Sequence, residues 1–361
     1  MELYFLNPDF TFASAPIDDY VSLTWTDRYQ EAGEFSLTLS PDLVKDAMSA
    51  AYVYNSERGA MEITGISYTA SGRRSLTVTG GGLLGLLRRR IITATGSHYD
   101  EIADDINARV TAETEGSRAF SLPIQIYKSG TSSENVRAPY SVGQNLYDWT
   151  VNLLQTTDNG ASISYDRANS RLVLLIYQGK DRTQSQTTNS RATFSQSYGN
   201  IREIEIRRSA LDYRNVCVAY DGTLKYTYTA IPSGEDRREM TISVNSETGL
   251  DDIWAQCRNA LAEAKKIDSV SGTADQSDMV YKRDYDLGDL CDITDDTTGI
   301  SVQSRISEVT TVYEQGAERV FTSFGEKSLN LRQFIKRSAE RGRVTYVTIR
   351  EEPEPDEPAD E

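Results

Sequence analysis

The chain has 361 residues, of which 38% are hydrophobic, and its 54 Asp and Glu residues exceed its 38 Lys and Arg residues to give a formal net charge of −16. This length predicts two or three domains. The acidic balance disfavours a free-standing protein that binds nucleic acid or an anionic membrane surface through basic residues.

The cysteine and histidine residues are too few and too dispersed to predict a metal site. Cys217, Cys257 and Cys291 form no CxxC pair, and His98 is the only histidine. This spacing does not match a zinc site and is typical of free thiols in a protein made in a reducing cytoplasm. We therefore predict neither a metal nor another cofactor.

The sequence has no predicted targeting or membrane segment. Its first residues follow a strand pattern rather than that of a signal peptide. No apolar run approaches the ~20 residues that cross a bilayer. We expect a protein without stable membrane insertion.

Short strands separated by turn signals are predicted for the first part of the chain. Their spacing of about ten residues favours a small barrel or sandwich, which we expect to span residues 1–85 as an N-terminal β-barrel-like domain. The predicted strands are residues 3–6, 22–27, 34–39, 51–54, 61–69 and 74–78.

The pattern then changes to that of an inserted α+β domain, predicted for residues 86–190. The elements expected here are a short helix at 83–87, a helix at 98–110, a strand at 122–127, a helix capped by Ser141, and a hairpin of strands 161–165 and 172–177. Residues 179–198 are polar and predict a linker or long surface loop.

Strands resume in a region predicted for residues 191–248 and 279–326, with a helical insertion at 249–278. Its expected strands are residues 201–207, 216–220, 224–229, 239–244, 269–274, 279–284, 290–294, 300–313 and 319–324, with a helix at 250–267. Gly288 marks a tight turn before the strand that starts at Leu290. Residues 327–350 predict a C-terminal helical or strand segment with a helix near 328–341, and residues 351–361 an acidic disordered tail. The fold class predicted is β-rich α+β and multidomain.

One glycine motif matches a nucleotide-binding pattern. Gly80, Gly82 and Gly85 fit GxGxxG, and Asp100 is near the position of the acidic residue. The apolar stretch that follows is too short for the helix that a nucleotide-binding motif requires, and the flanking segments do not form a βαβ unit. We favour a flexible bend, with Arg88–Arg90 facing a partner or a channel.

Candidate catalytic residues are outweighed by structural interpretations. His98, with Asp100 and Asp104 nearby, is more typical of a surface histidine at a helix start than of a triad. Asp284, Asp286 and Asp289 do not have EF-hand spacing and favour turn chemistry. The acidic pairs that could serve a glycosidase, but fit a solvated surface or a helix N-terminus, are 18–19, 104–105, 251–252 and 295–296. We assign no catalytic, cofactor-binding or metal residue.

Two local basic clusters allow several interpretations. Lys180, Asp181 and Arg182 form one, and Arg202, Arg207 and Arg208 the other. They fit ordinary surface charges, ion pairs between subunits of a ring, or the lining of a channel through which DNA passes. A lumen of this acidic protein should repel DNA weakly rather than hold it.

Five stretches, in chain order, resemble the siphophage tail-hub family, the trimeric proteins at the tail tip. They are residues 1–35, residues 76–92, Tyr-Gln-Gly-Lys-Asp-Arg-Thr at 177–183, Tyr-Arg-Asn-Val at 213–216, and Tyr-Asp-Leu-Gly-Asp at 285–289. The resemblance extends over roughly residues 1–325.

The resemblance implies a structural virion protein rather than an enzyme. It implies two small β-barrel-like domains per chain, the second formed by residues 191–248 and 279–326, so that a homotrimer presents six in a ring. Implied partners are the distal tail protein ring, the tape-measure protein and receptor-binding or fibre proteins, with phage DNA only in transit. The implied location is the virion tail tip, after assembly in the host cytoplasm. Relatives with a peptidoglycan hydrolase are longer, and we expect no such module here.

Two alternatives come from other functional classes. A tail-associated cell-wall hydrolase would clear cell walls through a carboxylate, yet the chain has no hydrolase motif. A receptor- or carbohydrate-binding β-module would bind host cells alone, but an aromatic content of 9% does not favour it.

Overall fold

The computed structural model describes residues 2–325, except 73, 132–134, 229–233, 246–247, 265–266, 275–278, 296, 298 and 315. Strands dominate these residues and helices are few, which confirms the prediction of a β-rich chain. The strands are β1 Tyr4–Leu6, β2 Tyr20–Arg28, β3 Glu34–Leu39, β4 Tyr52–Asn55, β5 Gly59–Thr69, β6 Ser75–Gly82, β7 Gly96–Glu101, β8 Ile124–Ser129, β9 Asn135–Tyr140, β10 Gly160–Asp166, β11 Arg171–Tyr177, β12 Thr193–Ser195, β13 Ile201–Ser209, β14 Val216–Tyr220, β15 Lys225–Tyr228, β16 Glu239–Ser243, β17 Ile267–Ala274, β18 Leu290–Asp295, β19 Ile300–Glu314 and β20 Ala317–Gly325. The α-helices are α1 Val44–Ser49, α2 Ile102–Glu113, α3 Leu146–Thr157 and α4 Leu250–Glu263, and 3₁₀ turns lie at Pro41–Leu43, Leu83–Arg89, Gly116–Arg118 and Gly234–Asp236.

One sheet connects the two ends of the described chain. Its strands follow the order β1-β4-β5-β6-β3-β2-β19-β20-β17-β13, with β18 beside β19 and β12 beside β18. The first part of β19 pairs with β18, and the second part pairs with β2 from Glu308–Arg28 to Glu314–Ser22. The pairing path ends at β1 and β13, so the described strands form no closed barrel. The expectation of two barrel-like domains is therefore not confirmed.

Alternation of apolar and polar residues explains why the first strands form one face of this sheet. In β3, Phe35, Leu37 and Leu39 are buried, whereas Glu34 and Ser36 are exposed. Side chains of successive strand residues point to opposite faces, so one face of β3 packs into the core with Trp25 of β2.

Smaller sheets and helices build the middle of the chain. Strands β10-β11-β8 form one sheet, β15-β14-β16 a second and β7-β9 a third. A core shared by the Leu83–Arg89 turn, α2, α3, β10 and β11 joins these elements to the first sheet. A separate small core lies between α4 and β14.

Several local predictions were wrong. Residues 98–101 belong to β7 rather than to a helix, because they pair with β9, a strand that local pattern did not reveal. Asn145, not Ser141, caps α3: its side-chain oxygen accepts from the backbone N–H groups of Tyr147 at 3.0 Å and Asp148 at 3.4 Å. Residues 282–284 form a turn instead of a strand, closed by a bridge between Tyr281 and Tyr285.

The polar stretch at 179–198 is also not a simple surface loop. It contains β12, and Arg182, Thr183 and Phe194 within it are buried. The predicted C-terminal helix and acidic tail lie outside the described residues. No helix among the described residues is both long enough and apolar enough to span a bilayer.

Candidate functional site: the junction around Tyr29

Three segments that are distant in sequence meet in the interior of the protein. Tyr29 directly follows β2, residues 177–182 begin at the last residue of β11, and residues 285–290 end at the first residue of β18. We call the region where they touch the junction. These segments lie within three of the stretches that carry the family resemblance, so the structure brings those motifs together.

Tyr29 is the central side chain of the junction and is 2% exposed. Its hydroxyl donates to the backbone oxygens of Asp158 at 3.1 Å and Tyr177 at 3.3 Å. Its backbone N–H donates to Ser307 O at 3.0 Å, and its carbonyl accepts from Ala161 N at 2.9 Å. Burial raises the pKa of Tyr29 to about 12, so the hydroxyl keeps its proton and remains a donor.

The backbone approaches the Tyr29 ring so closely that only glycine fits. A Cβ on Gly160 would lie 2.2 Å from a Tyr29 ring carbon, and a Cβ on Gly288 would lie 2.4 Å from one. Gly288 also has φ +89°, a left-handed conformation that side chains disfavour. The turn predicted at Gly288 is therefore also a packing surface.

Arg305 of β19 contacts three parts of the junction. Its guanidinium pairs with the Asp158 carboxylate, with a shortest N–O distance of 2.6 Å, and donates to Gly288 O at 2.5 Å. It also lies 5.5 Å from the centre of the Tyr29 ring. One arginine thus connects the C-terminal strands with the end of α3.

Asp289 links the segment at 285–290 with the segment at 177–182. Its Oδ1 accepts from the backbone N–H of Lys180 at 2.8 Å, and its Oδ2 accepts from Arg182 Nε at 2.5 Å and Asp286 N at 2.9 Å. Arg182 and Asp289 are 7% and 2% exposed. Because each buried charge is paired and hydrogen-bonded, the Arg182 and Asp289 side chains can pack inside the protein.

A polar seam continues from the junction along β2 and β19. Arg28 pairs with Glu308 at 2.7 Å, and the hydroxyls of Thr26 and Thr310 are 2.9 Å apart. Arg58 donates to Thr311 Oγ1 at 2.9 Å, which adds a third link across the seam. The seam and the junction together fix the two halves of the large sheet relative to each other.

The polar groups at the centre of the junction link elements of the chain to one another. The carboxylates at its centre are engaged with arginines and backbone N–H groups, and the tyrosine is a hydrogen-bond donor. Across the described ranges, no group of three or more His, Cys, Asp or Glu side chains is placed to hold a metal ion.

Two of the three glycines of the GxGxxG motif lie in a strand of the large sheet. Gly80 and Gly82 lie in β6, and the residues after them form a 3₁₀ turn. A Cβ on Gly80 would lie 1.8 Å from Glu62 O of the neighbouring strand. Close packing of β6 against β5 and β3 explains that glycine, and a nucleotide loop is not needed to account for it.

Among the predicted catalytic candidates, His98 has Asp100 as a charged neighbour. The His98 ring lies 5.1 Å from that of Tyr140, and burial lowers the pKa of His98. Asp104 pairs with Lys128 at 3.0 Å. Asp105 is 1% exposed, and burial raises its pKa to about 7.

The remaining acidic candidates have local structural contacts. Asp251 and Asp252, in the first turn of α4, pair with Arg137 at 3.3 and 3.2 Å. Asp284 accepts from Val280 N at 2.8 Å, and Asp286 pairs with Lys282 at 2.8 Å. These contacts support turn chemistry for the 284–289 group. Asp18 and Asp19 are exposed, and Asp296 lies outside the described residues.

The basic clusters make contacts within the chain. The Arg88 guanidinium lies 3.9 Å from the centre of the Tyr147 ring, Arg89 pairs with Glu62, and Arg90 lies 4.4 Å from the centre of the Phe120 ring. Arg182 is buried in the junction. Arg207 and Arg208 lie on β13, and their side chains fall outside the described part.

The sequence alone does not predict contacts among the residues at the centre of the junction, which are Tyr29, Asp158, Gly160 and Arg305. Tyr29 lies in the stretch at 1–35 that carries the family resemblance, without any sign there of its packing role. The contacts join positions more than 100 residues apart, such as Arg305 and Asp158, and no local spacing encodes such a pair.

Comparison with known proteins identifies the family. The model of the Siphovirus ReqiPepy6 Gp37-like protein family matches residues 123–326, more than half of the chain. The chain belongs to this family. No curated protein matches the sequence.

Solved structures show that the fold is that of phage tail proteins. The chain is similar to a tail protein from Neisseria meningitidis MC58, with 14% identity, a TM-score of 0.55, and coverage of 90% of this chain and 96% of that one. It is similar to the 43 kDa tail protein of prophage MuSo2 from Shewanella oneidensis, with 12% identity, a TM-score of 0.54, and coverage of 90% and 97%. It is also similar to prophage tail protein gp18 from Listeria monocytogenes EGD-e, with 11% identity, a TM-score of 0.52, and coverage of 95% and 100%. The resemblance to siphophage tail proteins drawn from the sequence is confirmed.

Proposed function

We propose that this protein is the structural hub of a siphophage tail tip, which closes the tail tube and joins the distal tail ring to the receptor-binding apparatus for DNA ejection. One observation carries the proposal: a siphovirus family member shares its fold nearly end to end with tail proteins, over at least 90% of this chain and 96% of theirs. Such coverage favours a shared architecture over a single borrowed domain.

The junction fits this role because a hub must hold its parts in a fixed geometry. Tyr29, Arg182, Asp289 and Arg305 connect the first strands, the middle of the chain and the last strands. Buried, hydrogen-bonded charge pairs favour one arrangement of packed elements over others. A rigid linkage would let receptor engagement at one end reach the tube at the other.

We propose that three copies form the working assembly. The two halves of the large sheet, joined at β2 and β19, would act as two barrel-like units and so place six in a ring. The proposed domain limits are those drawn from sequence, with an inserted α+β domain at 86–190 and a helical insertion at 249–278. Closed rings need heterologous contacts, for which the edge strands β1 and β13 offer positions.

The proposed partners follow from the position in the tail. They are the distal tail protein ring, the tape-measure protein, and receptor-binding or fibre proteins, with DNA only passing through. The net charge of −16 fits passage of DNA without tight binding. We place the assembled protein at the virion tail tip and its assembly in the host cytoplasm.

A non-enzymatic role is part of the proposal. It is supported by the engagement of Asp104, Asp251, Asp252 and Asp289 in ion pairs, since a glycosidase needs two carboxylates facing a cleft. It is also supported by the tail proteins that share the fold.

Light scattering coupled to size-exclusion chromatography tests the assembly. We expect a mass near three times the 40.3 kDa of one chain, in an elution position that does not change on dilution. The same sample should leave the turbidity of purified cell walls unchanged. A stable monomer that clears cell walls would contradict the proposal.

Gold-labelled antibodies against this protein test its position on purified virions. We expect label at the tail tip and along neither the tube nor the capsid. Label distributed along the tube would favour a tube component and overturn the hub assignment.

A further inference from the structure

Two cysteine side chains meet in the small core between α4 and the β15-β14-β16 sheet. Cys217 lies on β14, the central strand, and Cys257 lies on the facing side of α4. Both are 0% exposed, and Ala219 and Ile253 complete the buried centre of this core. The packing of the helix on the strand thus places two free thiols together.

The two thiols belong to the same four-residue buried cluster and interact with each other there. This contact lowers the pKa of Cys257 and raises that of Cys217. The attacking form of a cysteine is the thiolate, so Cys257 is the better nucleophile of the two. Cys291 lies in a different core, near Phe194 and Tyr285, and its burial raises the pKa of its thiol.

We propose that Cys217 and Cys257 form an oxidation site, at which a small peroxide converts the two thiols into a disulfide that ties α4 to β14. A small oxidant is required because both side chains are fully buried, which excludes a bulky disulfide reagent from the folded core. The site is independent of the proposed hub function.

The chemistry balances with hydrogen peroxide as the oxidant. The Cys257 thiolate attacks one peroxide oxygen, the O–O bond breaks, and the released hydroxide takes up the proton lost by Cys257 to give water and a sulfenic acid. The Cys217 sulfur then attacks the Cys257 sulfur, the S–O bond breaks, and the leaving hydroxide takes the Cys217 proton. Two thiols lose two electrons, and one peroxide becomes two waters.

The cross-link would restrain an element that touches a neighbouring part of the protein. The first turn of α4 pairs with Arg137 of β9 through Asp251 and Asp252. A disulfide within the α4 core removes freedom from the unfolded chain and resists opening of the helix from the sheet. We therefore expect oxidation to stabilise this part of the protein.

Peptide mapping of the native full-length protein tests the site. The reduced protein is treated with hydrogen peroxide, denatured in an alkylating reagent, and digested without reductant. We expect an intact-mass loss of about 2 Da before alkylation, a peptide pair linked through Cys217 and Cys257, and alkylated Cys291. Native circular dichroism during the treatment shows that the reaction occurs in the folded state.

Matched variants separate this site from the other thiol. Cys257→Ser and Cys217→Ser should abolish the cross-link, whereas Cys291→Ser should retain it. If a serine variant fails to fold, the map of the wild-type protein decides. Three alkylated thiols after peroxide treatment, a link that includes Cys291, or oxidation of Cys257 that stops at sulfinic acid would each overturn the proposal.

Discussion

At the scale of single residues, Gly288 is constrained in two ways at its contact with Tyr29. Gly288 combines φ +89° with a backbone position that would place a Cβ 2.4 Å from the Tyr29 ring. Gly288→Ala therefore suffers both backbone strain and a clash with a buried aromatic ring. We expect a loss of about 3 kcal/mol or more in the free energy of unfolding, measured by urea denaturation.

Gly222→Ala is the matched control for the clash. Gly222 has φ +96°, in the turn between β14 and β15, and no atom lies within 4 Å of the position that its Cβ would take. Gly222→Ala should lower the free energy of unfolding only through backbone strain, by about 1 kcal/mol. Equal losses in the two variants would show that the Tyr29 contact adds nothing.

Asp105 of α2 predicts a pH-dependent stability. Its carboxylate is 1% exposed, and burial raises its pKa from 3.8 to about 7. The contribution of Asp105 to the free energy of unfolding is complete below pH 3.8 and is lost as the pH rises towards about 7. The reason is that Asp105 releases its proton at a lower pH in the unfolded chain than in the folded protein. Asp105→Asn removes this dependence. The variant should gain about 2 kcal/mol relative to wild type between pH 5.5 and pH 8.5, measured by denaturant unfolding.

The other charged groups near Asp105 define the control. Asp100 and Asp104 are its ionisable neighbours, and Arg109 lies four residues further along the same helix. Asp104→Asn, at a half-buried position of the same helix, should keep the wild-type pH profile apart from a small offset. An Asp105→Asn profile parallel to that of wild type would exclude a raised Asp105 pKa in the folded protein.

At the scale of elements, the segment after β11 depends on one ion pair. Asp289 receives hydrogen bonds from Arg182 and from the backbone of Lys180 and Asp286. Arg182→Met leaves a buried carboxylate without its cationic partner. We expect a loss of about 3–5 kcal/mol in the free energy of unfolding and easier proteolysis within residues 183–198, both measured on the full chain.

Two comparisons test whether burial causes this effect. Lys282→Met removes the cation of an exposed pair, in which the side chains are 58% and 48% accessible, and should cost less than about 1 kcal/mol. Addition of Asp289→Asn to Arg182→Met should cost less than the sum of the single changes. Additive losses would show that the two side chains act separately.

Local sequence pattern predicted elements whose partners are adjacent in sequence, and it failed where the stabilising partner is distant. Alternation was sufficient for β3, predicted and observed at Glu34–Leu39, and for the β10–β11 hairpin, whose strands are adjacent in sequence. Ile102, Ile106 and Val110 predicted α2, but residues 98–101 pair with a strand more than 30 residues away. The polarity of 179–198 predicted a surface loop, although Asp289 satisfies its buried groups from a distance.

At the scale of the whole molecule, the sequence could place many of the strands but not their order. Repeated turns predict how many strands exist, whereas the pairing of β2 with β19 joins residues nearly 300 positions apart. That pairing makes one continuous sheet where two separate barrels were expected. The family motifs were informative in another way, because three of them contribute contacts to the junction.

The distribution of cores predicts that the protein does not unfold uniformly. The first sheet has a large core that includes Trp25, Phe35 and Leu37, and it continues through β19 into the C-terminal strands. The α4 core is much smaller, with Ile253 and the two cysteines at its centre. Regions with less buried apolar surface open at lower free energy. We expect α4 and β14 to open before β2, β3 and β19.

Native-state hydrogen exchange of the reduced full-length protein, read by mass spectrometry, measures these openings. Amides of α4 and β14 should exchange at least about 30-fold faster than those of β3 and β19, equivalent to a difference of about 2 kcal/mol. Low urea concentrations should accelerate the slow set together, because β2 and β19 share one hydrogen-bonded sheet. A single exchange free energy for all these strands and α4 would show one cooperative unit. Two distinct values for β3 and β19 would show that the seam does not couple the two halves.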